Sequence, residues 1–135
     1  MPTANLHHTH LFSSDIDATV DWWRRMLGAE LAFDDMFGGA RNVFLRVGSG
    51  RLHLYDQPPR DQGKGTVHHL GVQTDDLAAL VAHMESGGVE FRAPSRKFGT
   101  WRYIMVEAPD GVLLELFEAD DTLAPPELAA YFRGN

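Results

Sequence analysis

Seven histidines are spread along a chain with no cysteine, and His8, His53, His69 and Glu115 stand out by type and spacing. Neutral imidazole and carboxylate together suit divalent cations such as Zn, Ni, Co, Fe or Mn. The lack of cysteine removes thiolate ligation, a disulfide scaffold and a cysteine nucleophile. Glu115 is the most anomalous of the four residues, because it interrupts the apolar run Val112–Phe117. A carboxylate in such a strand is costly unless it is paired, hydrogen-bonded or metal-bound.

The elements that must position these groups come from an internal repeat. HHTHLFSSDI, starting at His7, matches HHLGVQTDDL, starting at His68. In each, a histidine (His8, His69) stands seven residues before an aspartate (Asp15, Asp76) that suits a helix N-cap. Ile16, Val20, Trp23 and Leu27 then recur at helical spacing up to Gly28, as do Leu77, Leu80, Val81 and Met84 up to Gly87-Gly88. Strands are predicted over Ala29–Phe33, Asn42–Val47 and Arg51–Tyr55, and again over Val89–Arg92, Trp101–Glu107 and Val112–Glu118. Gly48-Ser49-Gly50 and Pro109-Asp110-Gly111 supply turns. The reading is one α+β domain of two tandem βαβββ modules, residues 6–56 and 67–118, with a linker over 57–66 and a tail helix over 125–133. One helix cannot cover both faces of a four-stranded sheet. The modules are therefore expected to share a curved mixed sheet, with helices outside and a metal-containing concavity inside.

Strand alternation selects the side chains of that concavity. Leu52 and Leu54, Leu70 and Val72, and Leu114 and Leu116 suit the helix side. That turns Arg51, His53, Tyr55, His69, Gly71, Gln73, Leu113, Glu115 and Phe117 inward. By repeat symmetry His8, His10 and Phe12 face inward, while His7 and His68 take the opposite phase and are read as non-ligands. Trp101, Tyr103 and Met105 face the pocket, with Ile104 and Val106 on the helix side. Asn42, Phe44 and Arg46 are their counterparts, unless a one-residue slip substitutes Arg41, Val43 and Leu45. Three imidazoles (His8, His53, His69) and the Glu115 carboxylate then form a metal site with room for water or substrate. Phe12, Phe44, Arg46, Tyr55, Gln73, Trp101 and Met105 are the predicted substrate contacts. His10 is either an acid/base group or part of the pocket wall. Arg96-Lys97, in the loop Ala93–Thr100, either attract an anionic substrate or are merely solvated. The tail helix either caps the pocket or packs on another subunit.

The formal net charge is −7 and no Lys/Arg cluster is present, which argues against nucleic acid and anionic membrane as partners. No signal peptide and no membrane-length apolar run is visible, so a cytoplasmic location is expected.

A histidine ahead of a helix-opening aspartate, followed later by Pro109-Asp110-Gly111 and Glu115, resembles the vicinal oxygen chelate superfamily. That superfamily includes glyoxalase I, extradiol dioxygenases, methylmalonyl-CoA epimerase, and fosfomycin- and bleomycin-resistance proteins. The likeness covers roughly residues 6–118. It implies ligand roles for His8, His69 and Glu115. It also puts His53 where glyoxalase I has a carboxylate ligand and the epimerase an amide one. An occupied fourth ligand position implies the lyase or isomerase/epimerase branch. One divalent metal ion per site would polarise vicinal oxygens of a small substrate, with Glu115 and either His10 or Tyr103 as acid/base groups. An Fe(II) dioxygenase using His8, His69 and Glu115 is the nearest alternative, although four protein ligands leave little room for O2. A non-catalytic antibiotic-binding protein is the other, although such relatives typically lack the ligands retained here. The resemblance further implies a homodimer, the first half of one chain pairing with the second half of another, with sites at the interface.

Overall fold

A computed structural model describes residues 1–61, 67–120, 122 and 125–133, the side chains of Phe98 and Glu127 excepted. The first module contains β1 (Thr9–Ser13), α1 (Ile16–Leu27), β2 (Glu30–Phe37), β3 (Ala40–Val47) and β4 (Gly50–Asp56). The second contains β5 (Leu70–Gln73), α2 (Leu77–Ser86), β6 (Arg96–Phe98), β7 (Trp101–Ala108) and β8 (Val112–Ala119), and α3 (Pro126–Arg133) follows. The fold is α+β, a tandem of βαβββ modules, as the repeat predicts. Hydrogen bonding gives each module its own four-stranded mixed sheet, in the orders β1-β4-β3-β2 and β5-β8-β7-β6. In both, the first and last strands pair in parallel and the other neighbours are antiparallel. The chain divides into two compact units along the same line, with α3 in the second.

Both helices start as their aspartates dictate. Asp15 Oδ1 accepts from the Ala18 N–H at 3.1 Å, and Asp76 Oδ1 from the Ala79 N–H at 2.9 Å. Each bond satisfies one of the amides that a helix start leaves without a partner. Gly28 closes α1 in the left-handed region at φ 66°, a conformation that glycine adopts without a Cβ clash. α1 buries Ile16, Thr19, Trp23 and Met26 and lies against β3 and β4. Thr19 donates to the Asp15 carbonyl at 3.0 Å, and Ser13 lies 2.6 Å from the Thr19 hydroxyl, so this buried polar pair is satisfied. α2 buries Leu77 and Met84 and lies against β8, where Glu118 Oε2 accepts from the Leu77 N–H at 2.8 Å.

Val43, Leu45, Leu52 and Leu54 are buried in the first module, and Ile104, Val106, Leu114 and Leu116 in the second. These are the alternate residues of β3, β4, β7 and β8. The phase in β3 is therefore Asn42, Phe44 and Arg46 opposite the core, not the slipped set. Burying each such side chain is worth roughly 1.5–3 kcal/mol, so a one-residue slip in any strand is strongly opposed.

Two strand expectations are corrected. β2 runs on to Phe37 instead of stopping at Phe33. Asp34, in the added stretch, accepts two hydrogen bonds from Arg41 across the hairpin, at 2.8 and 2.9 Å, and Arg41 reaches Asp17 at 2.8 Å. Residues 89–92 form no strand, and β6 takes that place in the sheet order. The Val89 N–H is used by the Met84 carbonyl at 3.0 Å, which folds this stretch onto the end of α2. Arg96 and Lys97 accordingly lie on an edge strand, not in a loop. Residues 62–66 of the predicted linker lie outside the described residues. Gln57, at its start, still bridges Ser13, whose N–H reaches its carbonyl at 3.0 Å. Among the described residues, no helix is long and apolar enough to cross a membrane.

Candidate metal centre

In the second module, β8 carries Leu114 and Leu116 into the core and leaves Glu115 and Phe117 on the opposite face. Its parallel neighbour β5 sets Gly71 against Glu115 and Gln73 against Phe117. Gly71 presents no side chain, so the nearest group on that face of the β5 segment comes from His69, just ahead of the strand. His69 Nε2 lies 3.5 Å from Glu115 Oε2, with the two side chains one-third and one-quarter exposed. An ion bonded to both at ~2.0–2.2 Å in tetrahedral geometry sets such atoms about 3.4 Å apart, so the spacing of this pair suits a shared cation. The other ring nitrogen, Nδ1, stands 2.8 Å from His68 Nδ1. When His69 donates there, its Nε2 lone pair is left facing Glu115, as a metal ligand requires.

β7 sets Met105 opposite Glu115 and Tyr103 opposite Phe117, so Met105, Tyr103 and Trp101 share the Glu115 face. Part of that face is covered by α3. Phe132 packs edge-on against Trp101 and Phe117, with centroids 5.6 and 5.8 Å away, and its carbonyl accepts from Gln73 Nε2 at 2.8 Å. The tail helix thus packs on its own module, and Gln73, predicted as a substrate contact, spends a donor on it. Phe132 carries no signal in the sequence, where two adjacent aromatic residues, Tyr131 and Phe132, stand near the end of a tail helix without showing which of them it packs.

In the first module, β1 and β3 set His10 and Phe44 against His53, and Phe12 and Asn42 against Tyr55. These six residues share the face opposite Leu52 and Leu54. His53 is sandwiched between two rings, stacking on His8 at 3.7 Å and 10° and on Phe44 at 3.7 Å and 14°. His10 lies 5.8 Å from Phe12 and 5.7 Å from Tyr55, ring to ring. The Tyr55 hydroxyl donates to the Gly38 carbonyl at 3.2 Å, and Asn42 Nδ2 to the carbonyls of Phe37 and Ala40 at 2.8 and 3.2 Å. Both side chains thereby brace the β2–β3 turn. Arg46 is exposed and pairs with exposed Arg51. Burial, reinforced by His8, His7 and His10, holds the His53 imidazole below its ordinary pKa, which favours the neutral, ligating form. Stacked parallel rings hold their in-plane lone pairs side by side. For His8 and His53 to bind one ion, the exposed His8 ring must tilt off the stack.

His7 departs from its expected place. β1 begins at Thr9, so strand alternation does not govern the two residues before it. His7 Nδ1 lies 3.1 Å from His8 Nδ1, and His7, His8 and His53 each offer a ring nitrogen within 4.8 Å of the others. The signal available in the sequence was the doublet itself, His7-His8 repeated as His68-His69.

A family model described as the Glyoxalase/Bleomycin resistance protein/Dioxygenase superfamily matches residues 5–116. The uncharacterized protein YwbC of Bacillus subtilis is 26% identical over 121 residues, spanning 84% of this chain and 96% of that protein. Among solved structures, the fosfomycin resistance protein FosX of Listeria monocytogenes superposes with a TM-score of 0.73 at 19% identity, covering 87% of this chain and 95% of FosX. A FosX mutant complexed with Mn(II) and 1S,2S-dihydroxypropylphosphonic acid superposes at 0.70 and 20% identity, covering 85% and 90% of the two chains. A glyoxalase family protein of Enterococcus faecalis gives 0.71 at 23%, covering 84% and 97%.

Proposed function

The chain belongs to the Glyoxalase/Bleomycin resistance protein/Dioxygenase superfamily, and on that premise we propose that it is a divalent-metal-dependent enzyme, a glyoxalase-like lyase or an isomerase/epimerase acting on a small substrate with vicinal oxygens. The observation that carries this reading is the 3.5 Å spacing of His69 Nε2 and Glu115 Oε2 on one face of the second module. The repeat gives His8 and His53 the equivalent positions in the first module, and we assign these four residues to one metal ion. A divalent ion bound there supplies Lewis acidity toward adjacent substrate oxygens. Glu115 holds its carboxylate beside His69, where it would help hold the ion and could accept a proton from substrate. Tyr103, on the same face, and His10, on the His53 face, are the further acid/base candidates. Phe12, Phe44, Tyr55, Trp101 and Met105 line these faces and would exclude water from the reacting atoms, with Arg46 at the margin as an anion contact. Homodimerisation, with each site shared between chains, belongs to this proposal, as does a cytoplasmic location.

A second reading is favoured by the FosX structures, one of them complexed with Mn(II) and a dihydroxypropylphosphonic acid. A phosphonate requires a cationic partner, and Arg46 with Arg51 on the His53 face of β3 and β4 provides one. The two readings separate in one assay series. Protein loaded in turn with Ni(II), Zn(II), Co(II) or Mn(II) is given the thiol adduct of a 2-oxoaldehyde, then fosfomycin followed by phosphorus NMR. Isomerisation of the adduct supports the first reading, and consumption of fosfomycin the second. Tight metal binding with turnover of neither would overturn the glyoxalase-like and fosfomycin readings, and O2 uptake by protein loaded with Fe(II) would assign the chain to oxygenase chemistry.

A further inference from the structure

We infer that the first module holds a metal site of its own, formed by His7, His8 and His53, which takes a borderline divalent ion with no residue from the second module. The three residues offer ring nitrogens within 4.8 Å of one another. Tetrahedral coordination at ~2.0–2.1 Å needs them about 3.4 Å apart. The His7 and His8 Nδ1 atoms already stand 3.1 Å apart, so mainly His53 has to be met. The means are in place. His7 and His8 are exposed and precede β1, so no strand hydrogen bond fixes their rings. His53 is held within β4, paired with Phe44 of β3, whose ring stacks on one of its faces. A fixed nitrogen and two adjustable ones suit an ion that must be captured from solution.

The two histidine doublets therefore differ in role. In the second module His69 turns Nδ1 to His68 and Nε2 to Glu115, so His68 acts on the ion only through His69. In the first module no carboxylate stands in the group, and His7 is itself a ligand. An all-imidazole set binds Zn(II), Ni(II), Co(II) or Cu(II) and has little to offer Mn(II) or Mg(II), which prefer oxygen donors. This site uses His8 and His53, which the proposed catalytic set also uses. The two modes exclude each other, so excess zinc withdraws these residues from catalysis.

The test separates this site from the reading above. In the full chain, His69→Ala with Glu115→Ala removes the ligands of the second module. Co(II) titration, read by its visible absorption and by equilibrium dialysis, is expected to show about one ion per chain still bound, more weakly than in the unsubstituted chain. Adding His7→Ala to this background should weaken binding by more than the roughly 10–100-fold that loss of an outer-shell group costs. Adding His83→Ala should change nothing, and Mn(II) should not compete. If the alanine pair fails to fold, His69→Gln with Glu115→Gln replaces it. Loss of all Co(II) binding in the folded double variant, or retained binding indifferent to His7, overturns the proposal while leaving the four-residue site standing. Equal, His7-dependent affinity in the double variant and the unsubstituted chain supports this site and overturns the other.

Discussion

Glu115, on β8 opposite Gly71 of β5, and His69, just ahead of β5, meet 3.5 Å apart. With His68 on the far ring nitrogen, the His69 imidazole is gripped from both ends. Glu115→Ala and His69→Ala should each lose most of the metal affinity, leaving the weaker binding of His7, His8 and His53, which does not hold Mn(II). His68→Ala should keep the site but lower its affinity by about 10–100-fold, the usual effect of releasing a ligand's orientation. Metal content and affinity of the three folded variants check this. A site emptied by His68→Ala and left full by His69→Ala would falsify the assigned phase.

His53 serves packing and ligation together, and two substitutions separate them. His53→Phe preserves a ring between His8 and Phe44, so its thermal stability should stay near that of the unsubstituted chain while metal binding falls. His53→Ala should lose metal and, in addition, about 0.5–1.5 kcal/mol of stability from the lost stacking. Urea unfolding of the metal-free variants measures the difference. Equal metal affinity before and after His53→Phe would remove His53 from the ligand set.

The β2–β3 hairpin should be acid-sensitive. The hydrogen bonds from Arg41 hold the Asp34 carboxyl below its ordinary pKa of 3.8, against the opposing effect of burial. A lowered carboxylate pKa stabilises the fold above the unfolded value and loses that contribution as pH falls through the folded one. Asp34→Asn should therefore cost about 0.2–1 kcal/mol at neutral pH, the range for a largely solvated pair. The gap between variant and parent should close below pH 3.8. Unfolding curves at neutral pH and in acid test both parts.

The assembly proposal has a complementation test. One variant carries His8→Ala and His53→Ala, the other His69→Ala and Glu115→Ala. Refolded as an equal mixture, half the dimers should be mixed, and roughly a quarter of all sites should regain the four ligands if sites are shared across a two-fold axis. The first variant lacks two ligands of either metal mode. The second variant keeps His7, His8 and His53, so recovery is read with Mn(II), which that all-imidazole set does not hold. No gain, with mixed dimers shown to be present, would place each site within one chain.

The repeat made the module order, both helix caps and the buried phase of β3, β4, β7 and β8 legible, because a misplaced Leu or Asp in those positions is costly wherever the modules sit. Sequence periodicity failed where other forces govern. β2 is longer than its apolar pattern because Arg41 neutralises Asp34. The segment 89–92 is apolar enough for a strand, yet the end of α2 uses its first amide. Alternation was extended to His7 beyond the strand that gives alternation meaning. The role of α3 was not legible, since a tail helix carries no mark of what it covers.

β2 is an edge strand of its sheet and is exposed along its whole length, with Leu31, Phe33, Met36 and Phe37 among its side chains. The amides and carbonyls along its outer edge form a template that another extended chain could extend. The register shift between Leu31 and Phe33 and the acids Asp34 and Asp35 interrupt that template. Their consequence is colloidal: a chain that keeps its fold but loses these interruptions carries an aggregation hazard.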